Sequence, residues 1–319
     1  MEMKKRLEKL GWLVTESRKL KKTYNLIEGK EDLLPPGTSA CLGCGAEVAL
    51  RFTVRVLGQN TILGIPASCT AVMGVKGFGN EAGARLITVG TLLSNPAGIL
   101  CGIKRHFQLI HKEVQVVAWA GDAATADVGF QSLSGAAERG ENIIYICYDN
   151  ESQTSTGGQR SATSPWMAET TTTPAGKASR GKPELRKNLP LLMAMHGIPY
   201  VATANMAYPA DYLRKLQRAM EIRDGLVYLH LYSPCPVSWE FPPDQLMRVN
   251  KLAVETSFFP LWEADHGKFR ITKRVLFPRP AKDYLSAMGR FAHLSEEDVK
   301  QVQQAVKKSY RQMEALCRL

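Results

Sequence analysis

The sequence predicts a doubly wound α/β fold on a mostly parallel sheet. Three observations carry that expectation. Two runs, Val114-Gln115-Val116-Val117-Ala118-Trp119-Ala120 and Ile143-Ile144-Tyr145-Ile146-Cys147-Tyr148, are apolar at nearly every position. Strands buried on both faces look like this, whereas half-exposed strands alternate. Between them Phe130, Leu133 and Ala137 share one face of a helix-like segment, so the unit reads strand–helix–strand. Both runs then end in oxygen-bearing side chains, at Gly121-Asp122 and Asp149-Asn150. In open α/β sheets, ligands sit outside the carboxyl ends of the strands.

The same alternation extends in both directions. Strands are expected at residues 61–65, 86–90, 200–203 and 226–231, and helices at 46–57, 96–110, 190–196 and 209–221. His196 precedes Gly197 and reads as a helix-end residue without a catalytic role. Residues 151–187 are rich in Thr, Ser, Gly and Pro; a loop of this length is expected to be functional, its start lying over a bound diphosphate. Trp239, Phe241, Phe258, Phe259 and Trp262 suggest packing on a neighbour, and a polar helix is expected at 296–319. No internal repeat is visible.

Composition sets the bounds. The 319 residues are 45% hydrophobic and 22% charged, as in an ordinary globular protein. No run of about 20 apolar residues is present, so no membrane span is expected. The charged start, Met1-Glu2-Met3-Lys4-Lys5-Arg6, lacks an apolar signal region, which points to the cytoplasm. The net charge is +11, but the basic residues are scattered, with 19–22 and 177–187 the densest runs, and no nucleic-acid motif accompanies them. An acidic protein partner is expected rather than nucleic acid.

The central unit reads as a magnesium–diphosphate site. Gly121 lets backbone approach a ligand, and a helix opening near Thr125 aims free N–H groups at an anion. Asp122 and Asn150 supply hard oxygen ligands suited to Mg²⁺. A rival pattern, Gly77-Phe78-Gly79-Asn80-Glu81-Ala82, lacks the acidic residue about 20 positions on that a dinucleotide site needs.

Seven cysteines remain to be placed. Cys41-Leu42-Gly43-Cys44 alone fits a zinc knuckle, a redox pair or half of a cluster site. Cys69 and Cys235 each follow an expected strand, so the four could converge as a four-thiolate iron–sulfur site requires, with structural zinc the competitor. Cys101, Cys147 and Cys317 read as small buried hydrophobes.

The wording Ala120-Gly121-Asp122 to Ala126-Asp127, Gln131-Ser132-Leu133-Ser134-Gly135, Glu138-Arg139-Gly140 and Tyr145-Ile146-Cys147-Tyr148-Asp149-Asn150-Glu151 resembles the β subunit of 2-oxoacid:ferredoxin oxidoreductases, over residues 36–294. The resemblance implies thiamine diphosphate, with Mg²⁺ on the Asp122 and Asn150 side chains and the Ser152 backbone oxygen. Gly121 and the amides of Ala123 and Ala124 would hold the diphosphate, with Thr156 and Gly157 beside it. It implies a [4Fe–4S] cluster on Cys41, Cys44, Cys69 and Cys235. It further implies oxidative decarboxylation of a 2-oxoacid, coenzyme A as acyl acceptor, and electrons passed to further clusters in other subunits and on to ferredoxin. The glutamate that activates the cofactor would come from another subunit. The division implied is a basic arm at 1–35, the cofactor and cluster domain at 36–240, and a partner-packing extension at 241–319.

Two positions depart from the family pattern. Ser155-Thr156-Gly157 stands where Asn-Thr-Gly is usual, which puts Ser155 near the reacting centre in place of an asparagine. Leu93-Ser94-Asn95-Pro96 stands where a Phe-Glu pair is common. Both suggest an atypical 2-oxoacid, an aromatic one for instance. The alternatives are a non-redox thiamine diphosphate decarboxylase or carboligase, and a zinc-stabilised subunit without chemistry.

Overall fold

The apolar runs become the centre of one eight-stranded sheet in a computed structural model, which describes residues 21, 25, 27–34, 36–73 and 83–318. The strands are β1 (Thr61–Pro66), β2 (Ile87–Thr91), β3 (Gln115–Gly121), β4 (Ile144–Asp149), β5 (Tyr200–Asn205), β6 (Val227–Tyr232), β7 (Leu261–Asp265) and β8 (Lys268–Lys273), in the order β2-β1-β3-β4-β6-β5-β7-β8. The first six pair in parallel, while β7 and β8 join antiparallel at one edge.

Burial on both faces explains the apolar wording. On one face Val117 and Trp119 of β3 and Ile144, Ile146 and Tyr148 of β4 pack under helices α1 (Gly45–Leu57) and α6 (Pro209–Glu221). On the other, Val116, Ala118 and Ala120 with Tyr145 and Cys147 meet α3 (Pro96–Leu109), α4 (Phe130–Glu138) and α5 (Leu189–Met195). Residues that alternate along a strand point to opposite faces, so both sets must be apolar. The short helices α2 (Cys69–Val72) and α7 (Pro236–Trp239) follow β1 and β6 directly. From β1 the chain moves outward to β2 and then returns to β3 on the other side of β1, so a crevice opens between the carboxyl ends of β1 and β3.

The segment after β3 differs from the expected helix. Ala123–Asp127 forms a single π-helical turn and α4 begins at Phe130. Gly129 permits this geometry, because a Cβ there would lie 2.0 Å from the Ala124 carbonyl oxygen. Such turns recur at functional sites. Residues 77–82, the rival glycine-rich loop, and most of the basic arm fall outside the described residues.

The five C-terminal aromatics also correct an expectation. Trp239, Phe241, Phe258, Phe259 and Trp262 are 0–8% exposed, buried inside this chain rather than offered to a neighbour. Four of them belong to a third core with α8 (Leu246–Glu255), α9 (Ala281–Leu285) and α10 (Glu296–Leu316). A capping box at Ser295 and Asp298 starts α10.

This third core reaches back to the centre of the sheet. Arg290 lies 3.7 Å over the Trp239 ring and pairs with the Glu151 carboxylate, both charges being buried. The Trp239 indole donates to the Asn150 carbonyl at 2.7 Å. Glu151 itself takes a left-handed backbone (φ 56°), so its side chain turns toward Arg290 while its neighbours face the crevice. Arg290→Leu would leave the Glu151 carboxylate with only the half-exposed Arg186. Removing one partner of a buried pair is expected to cost about 3–5 kcal/mol; urea unfolding of the variant checks this, and a loss under about 1 kcal/mol would mean the pair does not hold the segment.

Candidate functional site

Parallel register brings the oxygen ligands together. Gly121 at the end of β3 lies opposite Tyr148 of β4, so Asp122 and Asp149 leave adjacent strands side by side. One residue further on, the Asn150 side-chain oxygen points at Asp122 Oδ1 (3.0 Å) and at the Ser152 carbonyl oxygen (2.6 Å). Three oxygens facing one another without a hydrogen between them repel. Turning the amide over would replace that repulsion with two hydrogen bonds, and a hard cation among the three oxygens removes it equally well. Octahedral Mg²⁺ at about 2.1 Å from each oxygen sets adjacent ligands roughly 3 Å apart, so the donor set fits the ion. Gly121, Ala123, Ala124, Ser155 and Thr156 line the same ≈ 340 Å³ cavity with Leu93 and Tyr148. Among the described residues the nearest atoms that a Cβ on Gly121 would meet belong to Tyr148, at an ordinary 3.4 Å.

Two buried carboxylates at this point have opposite titration. Burial, and then the charge of Asp149, hold the Asp122 carboxyl well above the usual aspartate range. Burial also presses Asp149 upward, but a hydrogen bond from His230 Nε2 (2.9 Å) and the His230 charge outweigh it, so Asp149 lies below that range. His230 is held in turn by the Tyr228 hydroxyl at 2.8 Å. Thr163, from the long loop, lies 2.7 Å from Asp149 Oδ1 and 3.2 Å from Asp122 Oδ2. A cation beside Asp122 would supply the charge that the protein withholds there.

The four expected thiols share a neighbouring cleft of ≈ 600 Å³. Cys41, Cys44, Cys69 and Cys235 all line it, together with Asn150, Thr154, Ser155 and Gly157. Their approach depends on glycine. Gly43 has φ +69° and a Cβ there would collide with Pro243 at 2.6 Å, while a Cβ on Gly45 would lie 2.9 Å from the Pro234 carbonyl. The Cys-x-x-Cys turn can therefore press against the turn that carries Cys235. Burial pushes the Cys44 thiol up to about 12, with Cys235 and Cys69 adding repulsion. Burial also raises Cys69 and Cys235, each with a contribution from Cys41. Thiols that resist ionising in such company become thiolates when a cationic core compensates them. Among the described residues no three His, Cys, Asp or Glu side chains close into a cage for one ion. A four-iron core sets its thiolates farther apart than a single ion does. Cys101 and Cys147 are buried away from the cleft, and Cys317 packs near the chain end, as small hydrophobes do.

The two cavities share a wall made of Cys69, Val72, Asn150, Thr154 and Ser155. Every residue expected at the site lines one cavity or the other, and Ser155 lines both. Ser94 is exposed at the surface and Leu93 faces the smaller cavity. Sequence reasoning missed Thr154, Thr163, Asp149 as a charge partner, and His230. Thr154 stands directly between the expected ligand sets, with its hydroxyl 3.0 Å from Cys69 Sγ and 2.9 Å from the Asn150 side-chain nitrogen. Nothing in the local wording marks Thr163 or His230, although a histidine inside an otherwise apolar strand could have raised the question. His196 caps α5 and bonds Ser134 at 2.8 Å, a structural part as expected.

With this geometry in view, the likeness to known proteins is specific. The family model for the thiamine pyrophosphate enzyme, C-terminal TPP binding domain, matches residues 68–231. The chain is 46% identical over 285 residues to the β subunit of an NADH-dependent phenylglyoxylate dehydrogenase from Aromatoleum evansii, covering 89% of this chain but 64% of that protein, less than two thirds of its length. It is 44% identical to the pyruvate synthase subunit PorB of Methanothermobacter marburgensis, covering 87% of this chain and 96% of that one. It is 38% identical to the ketoisovalerate oxidoreductase subunit VorB of Pyrococcus horikoshii, covering 88% and 92%. A solved 2-oxoglutarate:ferredoxin oxidoreductase from Magnetococcus marinus shares the fold, with TM-score 0.54 at 24% identity over 66% of this chain and 70% of that one.

Asp122 offers a pH-resolved test. Its carboxyl is raised in the folded chain but titrates at the ordinary 3.8 when unfolded. Ionising Asp122 is therefore expected to take stability from the metal-free protein as pH climbs above about 4, and Asp122→Asn to escape that contribution. Melting curves in EDTA should place the variant above the parent chain at pH 7 and level with it near pH 3. Adding Mg²⁺ and thiamine diphosphate should raise the parent's Tm and leave the variant's unmoved.

Proposed function

The chain belongs to the β subunits of the 2-oxoacid:ferredoxin oxidoreductases, within the thiamine pyrophosphate enzymes, and we propose that it carries the cofactor and cluster sites for oxidative decarboxylation of a 2-oxoacid in a multi-subunit enzyme. The observation that carries the reading is the shared wall: an oxygen trio and a set of four thiols meet across Cys69, Thr154 and Asn150.

Thiamine diphosphate, when bound, supplies a nucleophilic carbon for the keto group and an electron sink as carbon dioxide leaves. The chain's own residues bind and orient. Asp122, Asn150 and the Ser152 carbonyl would hold Mg²⁺, and Gly121 with the Ala123 and Ala124 amides would meet the diphosphate. Thr156 and Gly157 form the turn beside it, in which Gly157 takes φ 110°. Cys41, Cys44, Cys69 and Cys235 would hold a [4Fe–4S] cluster, which accepts electrons singly. The place of the four thiols, on a wall shared with the cofactor cavity, supports an electron-accepting iron–sulfur cluster over a structural zinc, which would have no electrons to take. Further subunits would supply the activating glutamate, more clusters and the route to ferredoxin, with coenzyme A as acyl acceptor. The relative named for NADH keeps the final electron carrier open to test.

The substrate proposed is a 2-oxoacid bulkier than pyruvate. Ser155 opens space at the shared wall where a longer asparagine is usual, and Leu93 gives the smaller cavity an apolar side. A relative that acts on phenylglyoxylate supports an aromatic substituent.

Three measurements test this. Iron and sulfide analysis of anaerobically purified chain should find about four of each per chain, and Cys69→Ser or Cys235→Ser should lose most of both; zinc without sulfide would turn the reading to a scaffold. The chain alone, given Mg²⁺ and thiamine diphosphate, should reduce no dye with any 2-oxoacid, since the activating carboxylate lies elsewhere. In the whole complex, kcat/KM for phenylglyoxylate should exceed that for pyruvate at least tenfold, and a clear preference for pyruvate would reject the substrate assignment.

A further inference from the structure

We propose that Thr154 couples the cation site to the cluster site through the direction of one hydroxyl hydrogen. The inference rests on the reading above and goes beyond it. Thr154 Oγ1 lies 3.0 Å from Cys69 Sγ and 2.9 Å from the Asn150 side-chain amide, and its side chain lines both cavities. A hydroxyl has one hydrogen to give and lone pairs to receive. What Asn150 presents therefore decides what Thr154 can offer Cys69.

The Asn150 amide has two orientations. With its oxygen toward Asp122 and the Ser152 carbonyl, its nitrogen donates to Thr154, and the Thr154 hydrogen is free to point at Cys69 Sγ. With the amide turned over, the nitrogen satisfies Asp122 (3.0 Å) and Ser152 (2.6 Å), and the oxygen accepts from Thr154 at 2.9 Å. The hydrogen is then spent on Asn150, and Cys69 loses this donor and keeps only the weaker contact from Ser155. A cation among the three oxygens selects the first orientation, because it binds oxygen and repels N–H. Cation binding thus hands a hydrogen bond to a cluster thiolate. Such bonds stabilise the more negative, reduced cluster and raise its potential. The coupling must be reciprocal, so cluster reduction tightens cation binding by the same factor. Thr154 is a positioning residue in this scheme, acting through Asn150 on one side and Cys69 on the other.

The test is a potentiometric titration of the cluster with dithionite, followed by electron paramagnetic resonance, in the full chain within its purified complex. Midpoints are compared with Mg²⁺ and thiamine diphosphate present, and after their removal with EDTA. In the parent protein, loading should raise the midpoint. Thr154→Ser, which keeps the hydroxyl, should behave like the parent. Thr154→Val, which keeps the shape, should show a lower loaded midpoint and less than half of the loading-dependent shift, with iron content unchanged. If Thr154→Val keeps both the parent midpoint and its full shift, the coupling is overturned. A Val variant that loses its cluster is replaced by Thr154→Ala and by the Mg²⁺ dependence of the parent, where a midpoint indifferent to loading overturns the inference equally. Absence of iron and sulfide from the parent would instead overturn the proposed function, so the two failures are distinguishable.

Discussion

Adjacent parallel strands that end in register are what the site depends on. Because β3 and β4 pair with Gly121 opposite Tyr148, the next side chains on both strands emerge into the same crevice. Antiparallel neighbours would send one of them to the opposite edge of the sheet. Burial on both faces then denies these groups water, so Asp122 sits beside Asp149 at a cost that a cation can relieve. The same absence of solvent would favour the Mg²⁺ proposed there, since a hard ion gains most from oxygens already stripped and aimed.

The second feature follows from topology. The chain turns outward at β1 and back at β3, and the crevice at that switch point receives Cys69 from the end of β1 and Cys235 from the end of β6. The Cys41–Cys44 turn lies ahead of α1 and reaches them only because Gly43 and Gly45 let backbones touch. The four thiols and the oxygen trio are therefore neighbours as a consequence of strand order. The five residues of the shared wall are few enough for one threonine to touch both sets.

The C-terminal third serves this centre from behind. Its aromatics, Trp262 apart, fill a core of their own, and Arg290 and Trp239 hold Glu151 and the Asn150 carbonyl. Glu151 keeps its left-handed backbone under that grip. Chain that looked like a surface for others is, in these five aromatics, packed inside the fold, and Trp239 backs the site.

Much of this was legible in the wording of the chain. Short β-branched runs, apolar at nearly every position and ended by Gly-Asp or Asp-Asn, fit strands covered on both faces, so β3 and β4 and the fold class were legible from composition, length and period. Gly121, Asp122 and Asn150 were readable because an oxygen-bearing residue just past such a strand has a defined place. The convergence of the four cysteines was expected from their places in turns after or between elements, but the cleft that all four line is set by strand order, since Cys41 and Cys235 lie far apart in sequence. Thr154, Thr163 and His230 carry no local signal: each matters through a partner in another segment. The destination of the aromatics was likewise undetermined, because hydrophobic patterning says that a residue is buried and not by which chain. What sequence alone settled was the period and the chemistry at the strand ends; what tertiary structure decided was contact, because contact depends on the order in which the strands lie side by side.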